Sequence, residues 1–305
     1  MRAFVTLALL ALSTILEPAG RAGGQVPPLS ASATLEGLSA APQAVPIPAG
    51  RQVFYEMDQV PWLEFSPGIR RRTIAGEGMT FSMIELDSAL AKGLPPSKAH
   101  HHTYEQFIFG VSGSFDQYVA GQTGTVGPSV LTVAPPNVEH TLAGVNGPGK
   151  VLLLEVMPIV RTDLLPPQPS VTFPQTPSVR PLPAGSTLFA NFETMPWIGS
   201  PNESRFKAVF GETCSFILWD LSAKTMVGTD RPGHHHTVEQ VSYVLAGHAD
   251  ARVGDQVRRI GPGTLIMIPS NVDHLPMRAL NDENVLLIDF QPAVREDLRR
   301  RMGQR

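Results

Sequence analysis

The sequence predicts an all-β protein built twice, as two tandem barrels or sandwiches, and three observations carry that expectation. Short alternating apolar runs recur between glycines and prolines, and the first half holds no long helical apolar period. A seven-residue histidine motif, His100-His101-His102-Thr103-Tyr104-Glu105-Gln106, returns 134 positions later as His234-His235-His236-Thr237-Val238-Glu239-Gln240. Between the copies lies a stretch with Pro166, Pro167, Pro169, Pro174, Pro177, Pro181 and Pro183, which excludes regular helix or central strand. At 305 residues the chain is long enough for each half to bury its own core.

In chain order, Met1 and Arg2 precede an apolar run over residues 3–16 and small residues around Ala22, the order of a secretory signal over residues 1–24. The run is shorter than the roughly 20 apolar residues of a bilayer span. The expectation is therefore an exported protein, periplasmic or secreted, with no membrane attachment after cleavage near Ala22 or Gly24. Residues 25–52, rich in Pro, Ala, Ser and Gly, read as a flexible leader. The first domain spans 53–165, with strands expected at 81–86, 107–109, 130–133 and 151–156. A proline-rich linker follows over 166–187, extended across the surface. The second domain, 188–305, repeats the first: Met195-Pro196-Trp197 echoes Val60-Pro61-Trp62, the run from Cys214 to Asp220 echoes that from Thr80 to Leu86, and the run from Val285 to Asp289 echoes that from Val151 to Glu155.

Composition excludes some functions. The formal net charge is −3, charged residues are 17% of the chain, and the basic tail Arg299-Arg300-Arg301 is short, so nucleic acid is not an expected partner. Cys214 is the single cysteine, which rules out an internal disulfide, and its apolar surroundings predict a buried structural thiol. The expected partner is a small-molecule substrate, and a homodimer is compatible with the sequence.

The histidine motifs supply the chemistry. If each lies on a strand, side chains alternate between faces, so His100, His102 and Gln106 share one face, as do His234, His236 and Gln240. Pro135-Pro136-Asn137-Val138-Glu139-His140 and Pro269-Ser270-Asn271-Val272-Asp273-His274 each add a histidine after a turn, at the same offset. Imidazole suits divalent first-row metals, and four donors from separate segments leave positions open for water or substrate. The expectation is one divalent ion (Mn, Fe, Ni or Zn) per domain, held by His100, His102, Gln106 and His140 and by His234, His236, Gln240 and His274. After the last strand of each half a carboxylate precedes an arginine by six positions: Glu155 with Arg161, and Asp289 with Arg295. That pair reads either as an ion pair capping the strand or as an acid/base and an anion clamp at the barrel mouth.

In these residues the chain resembles the cupins, over both halves. The likeness rests on His-x-His-x3-Gln-x6-Gly, followed by Gly-Pro-x8-Asn-x2-His, in each half. It implies two tandem cupin-type barrels, that is, a bicupin. Cupins more often carry glutamate as third ligand; Gln106 and Gln240 make these sites less negative. The Glu-Gln pair, with Leu287-Ile288-Asp289 leading to Arg295-Glu296-Asp297-Leu298, is similar to the pectin-degradation cupins that linearise unsaturated uronates, although Gln291 stands where those carry an aromatic residue. The two-domain, glutamine-ligand layout resembles the bicupin isomerase of bacilysin biosynthesis. The resemblance implies Asp289 and Arg295 as catalytic and substrate-binding groups, with the main activity in the second domain. Three functions stay open: a metal-dependent isomerase or lyase of a small oxygenated carboxylate or sugar acid, a quercetinase-like metal-dependent dioxygenase, and a non-catalytic binding or storage cupin.

Overall fold

A computed structural model describes residues 44–166, 179–226 and 233–304. The expected signal segment, most of the leader and residues 167–178 of the linker lie outside the described residues. The first half carries β1 (Phe54–Glu56), β2 (Leu63–Ser66), β3 (Ile69–Ala75), β4 (Thr80–Asp87), β5 (Gln106–Ser112), β6 (Ser114–Val119), β7 (Gln122–Val126), β8 (Val130–Ala134), β9 (His140–Asn146) and β10 (Lys150–Met157). The second carries β11 (Phe189–Asn191), β12 (Arg205–Phe210), β13 (Ser215–Leu221), β14 (Gln240–Ala246), β15 (Ala249–Val253), β16 (Gln256–Ile260), β17 (Thr264–Ile268), β18 (His274–Ala279) and β19 (Val285–Gln291), and closes on α1 (Glu296–Arg301). Among the described residues no helix is long and apolar enough to cross a membrane.

Each barrel joins one large sheet to one small sheet. In the first, the order β11-β8-β5-β10-β4-β3-β2 faces β7-β6-β9; in the second, β1-β17-β14-β19-β13-β12 faces β16-β15-β18. The central strands of the large sheets read as nearly continuous apolar runs because both of their faces are covered. On β4 and β5, Phe81, Met83, Phe107 and Phe109 point away from the barrel interior and meet Phe216, Val241, Tyr243 and Phe290 of the other half in one shared core. Ring pairs cross that seam, with Phe81 and Tyr243 5.4 Å apart and Phe107 and Phe290 5.1 Å apart. Alternate residues, such as Ile84, Ile108 and Leu153, turn inward to form the interior of the first barrel. Cys214 is buried in the shared core, where burial and the neighbouring Glu105 push its thiol up, as befits a structural thiol.

The halves also trade edge strands. β1 pairs with β17 of the second half, Phe54 opposite Ile266, and β11 pairs with β8 of the first, Phe189 opposite Thr132. Both short segments were placed by the sequence with the half they adjoin in the chain. An unpaired edge strand needs partners for its amides and carbonyls, and these segments supply them across the molecule. Residues from the end of the expected leader follow the same path, with Val45 N donating to Asn271 O at 2.9 Å. In the described part of the linker, Arg180 N donates to Asn137 O at 3.0 Å, and Leu182 packs near Val119 and Val138 of the first barrel.

The repeat is out of register by one residue in one place. Constant spacing sets Thr80 against Cys214, but the pairing sets it against Ser215: Glu155 lies opposite Ser82, and Asp289 opposite Ile217. The same bonds confirm this, since Arg161 N donates to Thr80 Oγ1 and Arg295 N to Ser215 Oγ, each at 2.8 Å. The segment from this strand to the histidine motif is one residue shorter in the second copy.

Candidate metal centres and the cavity of the first barrel

The histidines converge for a reason other than strand alternation. His101 to Glu105 and His235 to Glu239 are loops, and the strands begin only at Gln106 and Gln240. Instead His100 and His140 exchange backbone hydrogen bonds, at 3.0 and 2.8 Å, and His234 and His274 do so at 2.9 Å each. The turn before each late histidine is set by an asparagine with positive φ, 60° at Asn137 and 64° at Asn271, a conformation its short polar side chain tolerates. The amide of that asparagine then donates to the carbonyl of His102 (2.6 Å) or His236 (2.7 Å), tying the turn to the motif.

The result is two matching triads, His100, His102 and His140, and His234, His236 and His274, each with its ligand atoms within 4.8 Å of one another. In four of these imidazoles Nδ1 sits against a backbone carbonyl: His102 on Tyr104, His140 on Val138, His236 on Val238 and His274 on Val272, at 2.6–2.9 Å. A carbonyl only accepts, so in His102, His140 and His274 Nδ1 carries the proton and Nε2 offers a lone pair, while His236 Nε2 lies 3.1 Å from Gln240 Oε1. Burial pushes the rings down, His100 and His102 to about 3 and His140 and His234 to about 4, which keeps them neutral and able to ligate at neutral pH.

These donors fit a divalent ion. His102 Nε2, His140 Nε2 and Gln106 Oε1 are buried without a hydrogen-bond partner in the first half, as is His274 Nε2 in the second. Buried polar atoms are rarely left so, and a metal would satisfy them. Gln106 is turned to present its oxygen because its Nε2 donates to Glu155. Gln240 is held differently: its Nε2 donates to Ser242 (3.1 Å), Ser242 donates to Asp289 (2.5 Å), and Gln291 Nε2 occupies its Oε1 at 2.6 Å. Asp289, shorter by one carbon than Glu155, reaches its glutamine through Ser242. Loss of water contact pushes its carboxyl up to about 6, against the opposing pull of Ser242 and Arg295.

The two arginines are braced in the same way. Arg295 meets Asp297 through Nε (2.7 Å) and Nη2 (2.6 Å), and Arg161 meets Asp163 through Nε (2.8 Å) and Nη2 (2.7 Å). The planar edge expected to face a substrate carboxylate is thus engaged by an aspartate two residues along. Arg161 Nη1 donates to Tyr104 Oη at 2.6 Å, and the Tyr104 ring stacks on His102 at 3.9 Å.

Beside the first triad a cavity opens, lined in part by Phe65, Gln106, Gln117, Thr141, Glu155 and Arg161. It also contains a residue the sequence reading passed over, Arg71, which is buried, lies 4.4 Å over the Phe65 ring and leaves its Nε without a partner. In the run Arg70-Arg71-Arg72 the outer two stack on Trp62, at 4.6 and 4.3 Å. Period-two alternation in β3 therefore turns Arg71 inward, a signal that was legible once that strand was assigned.

Residues 223–290 match the cupin-domain family model. No curated protein matches the sequence. Among solved structures, AerE from Microcystis aeruginosa aligns with a TM-score of 0.55 at 14% identity, over 77% of this chain and 96% of that one. A Bacillus subtilis oxalate decarboxylase, described by its Mn(II) centres, aligns at 0.57 and 12%, over 79% and 77%. The formate complex of Lactobacillus farciminis oxalate decarboxylase aligns at 0.57 and 12%, over 79% and 86%. The fold is all-β, two tandem cupin-type barrels, and the cupin-domain match over residues 223–290 falls within the second of them.

Proposed function

We propose that the protein is a metal-dependent enzyme acting on a small carboxylate, and that the first barrel receives the substrate. The observation that carries this reading is Arg71, a cation without a partner on Nε, held in the cavity that also contains the His100, His102 and His140 triad and Glu155. Burying an arginine is costly unless an anion answers it, and its planar fork matches a carboxylate. His100, His102 and His140 would hold a divalent ion, which would supply Lewis acidity toward a substrate oxygen. Arg71 holds the acid group, and Glu155, bonded to Gln106, takes or returns a proton. Phe65, Ile84 and Leu153 keep that part of the cavity apolar, which strengthens both contacts.

The family likeness supports an isomerase or lyase of sugar acids, and the oxalate decarboxylases among the structural neighbours support carboxylate chemistry on manganese. Asp289 and Arg295 are proposed as the proton carrier and brace of a second, lesser site, and residues 1–24 as an export signal, checked by N-terminal sequencing of the protein from the envelope fraction. The test of the main reading is isothermal titration of Mn(II)-loaded protein with oxalate, simple hydroxy acids and unsaturated uronates, followed by assay of any binder for turnover and for oxygen uptake. Binding of one of them that is lost in Arg71→Gln supports the reading. Absence of carboxylate binding, or binding unchanged in Arg71→Gln, overturns it, and oxygen uptake during turnover would favour the dioxygenase.

A further inference from the structure

The glutamate beside each candidate glutamine ligand leaves its own barrel. Glu105 is 1% exposed, and its carboxylate accepts from the amides of Glu212 and Thr213, the latter at 3.0 Å, and from the Thr213 hydroxyl at 2.8 Å. Those donors sit in the turn between β12 and β13, in the other half. Glu239 is 2% exposed and accepts from the amides of Glu77 (2.8 Å), Gly78 (2.9 Å) and Met79 (3.1 Å) in the turn between β3 and β4, and from Arg51 Nη2 at 3.2 Å. Each turn is a tight hairpin whose amides converge on an anion. The carboxylates come so close that the turns open on glycine: a Cβ on Gly76 would lie 2.0 Å from Glu239 Oε1, and one on Gly211 2.2 Å from Glu105 Oε1.

A buried carboxylate with this many donors is fixed in place, and so is the backbone that bears it. The next residue in each case is Gln106 or Gln240, the first residue of β5 or β14, whose side chain turns the opposite way into the barrel. We infer that Glu105 and Glu239 are positioning residues for the two metal sites, so that each glutamine ligand is held at its station by a hairpin of the opposite half. The two barrels then complete each other's centres in a reciprocal arrangement, and a change in one half is felt at the metal of the other. A latch that only docked the halves would affect overall stability and leave the metal sites alike.

This inference rests on reading the histidine triads as metal sites, and Mn(II) titration of the full chain separates the two ideas. In a His236→Ala background, which silences the second site, Glu105→Gln should weaken Mn(II) binding to the first site by about 10- to 100-fold, the usual cost of losing a group that orients a ligand. Thr213→Val removes one of the hydrogen bonds from a distant segment and should weaken the same site by about 2- to 10-fold. In a His102→Ala background, which silences the first site, Thr213→Val should leave Mn(II) affinity unchanged although Thr213 belongs to the half being measured. If Glu105→Gln does not fold, the Thr213→Val pair decides. Equal effects of Thr213→Val on both sites, or none on the first, overturn the inference while leaving the metal reading in place. No Mn(II) binding by the unsubstituted chain overturns both.

Discussion

The two barrels carry the same three histidines and glutamine on the same backbone plan, yet their interiors have diverged. Strand pairing sets Arg71 of the first half against Phe206 of the second, Thr73 against Ala208, Ser82 against Ile217 and Ile84 against Trp219. On the small sheets Gln117 corresponds to Ala251. Where the first barrel has an arginine beside its triad, the second has Phe206 packed on Trp219 at 5.2 Å and clustered with Ile217 and Leu298, the latter from α1. Even the glutamines differ: Gln106 Oε1 is unpartnered, whereas Gln240 Oε1 is engaged by Gln291. A duplicated donor set is thus compatible with two roles, one barrel polar enough to take a substrate and one filled with its own side chains. The difference lies in residues that surround the donors, not in the donors.

The largest effect that would test this contrast comes from removing a ligand. His102→Ala and His236→Ala should each lower the metal content by one ion per chain, measured by elemental analysis after dialysis, because a preformed barrel survives loss of its ion. With a substrate in hand, His102→Ala should cut turnover by at least about 100-fold while His236→Ala costs less than about tenfold. Equal losses would break the contrast between the barrels.

Next in size is Arg71→Gln, which should raise the carboxylate concentration needed for half-saturation by about 10- to 100-fold, the value of a charged hydrogen bond in a dry site. Metal content should not change. Loss of metal together with substrate affinity would mean that Arg71 supports the triad rather than the substrate.

A pH experiment addresses what the barrels share. The folded values of His100, His102, His140 and His234 are depressed to about 3 or 4 by burial, while the unfolded chain protonates near 6.5. Between those limits the unfolded state binds more protons, so the stabilisation is fully present above about pH 6.5 and is lost as pH falls toward 4. Urea midpoints of the metal-free protein should therefore drop over that window, and His102→Ala and His236→Ala should flatten the slope about equally. A slope set by one half alone would show that the triads are less alike than their geometry.

The pattern of what was legible in the sequence follows the same division. The all-β class, the duplication and the two histidine triads are local or periodic features, and a motif repeated with fixed spacing exposes them. The convergence of the histidines was anticipated but for another reason, since the His100–His140 bridge and the Asn137 turn do the work assigned to a strand. Edge exchange was not legible because β1 and β11 are three-residue segments whose partners lie far along the chain. Arg71 was hidden in a run of three arginines that looks like a solvated edge, and only its pairing with Ile84 shows which of the three turns inward. The braces Asp163 and Asp297 were in view, but two-residue spacing alone does not reveal that each fills its arginine's fork.

The two carboxylates also differ in rank, and the change at Asp289 carries the smallest expected effect of all. Glu155 touches Gln106 directly and lines the cavity, so Glu155→Gln should lower turnover by about 100-fold or more, in line with the contribution of a positioned proton carrier. Asp289 is one hydroxyl removed from Gln240 and stands in the barrel whose glutamine oxygen is already engaged by Gln291, so Asp289→Asn should lower turnover by less than about threefold. Metal analysis of both variants keeps ligand loss separate from loss of the proton carrier. The charge pattern of the sequence ranks the two the other way, because an aspartate followed by Arg295 is what the uronate-linearising relatives lead one to expect. Because Asp289 titrates near 6, a second-barrel reaction would also show an acid limb there that Asp289→Asn abolishes. If Asp289→Asn proves the more damaging and removes such a limb, the second barrel is the working one, and Arg71 marks an anion site that serves some other end.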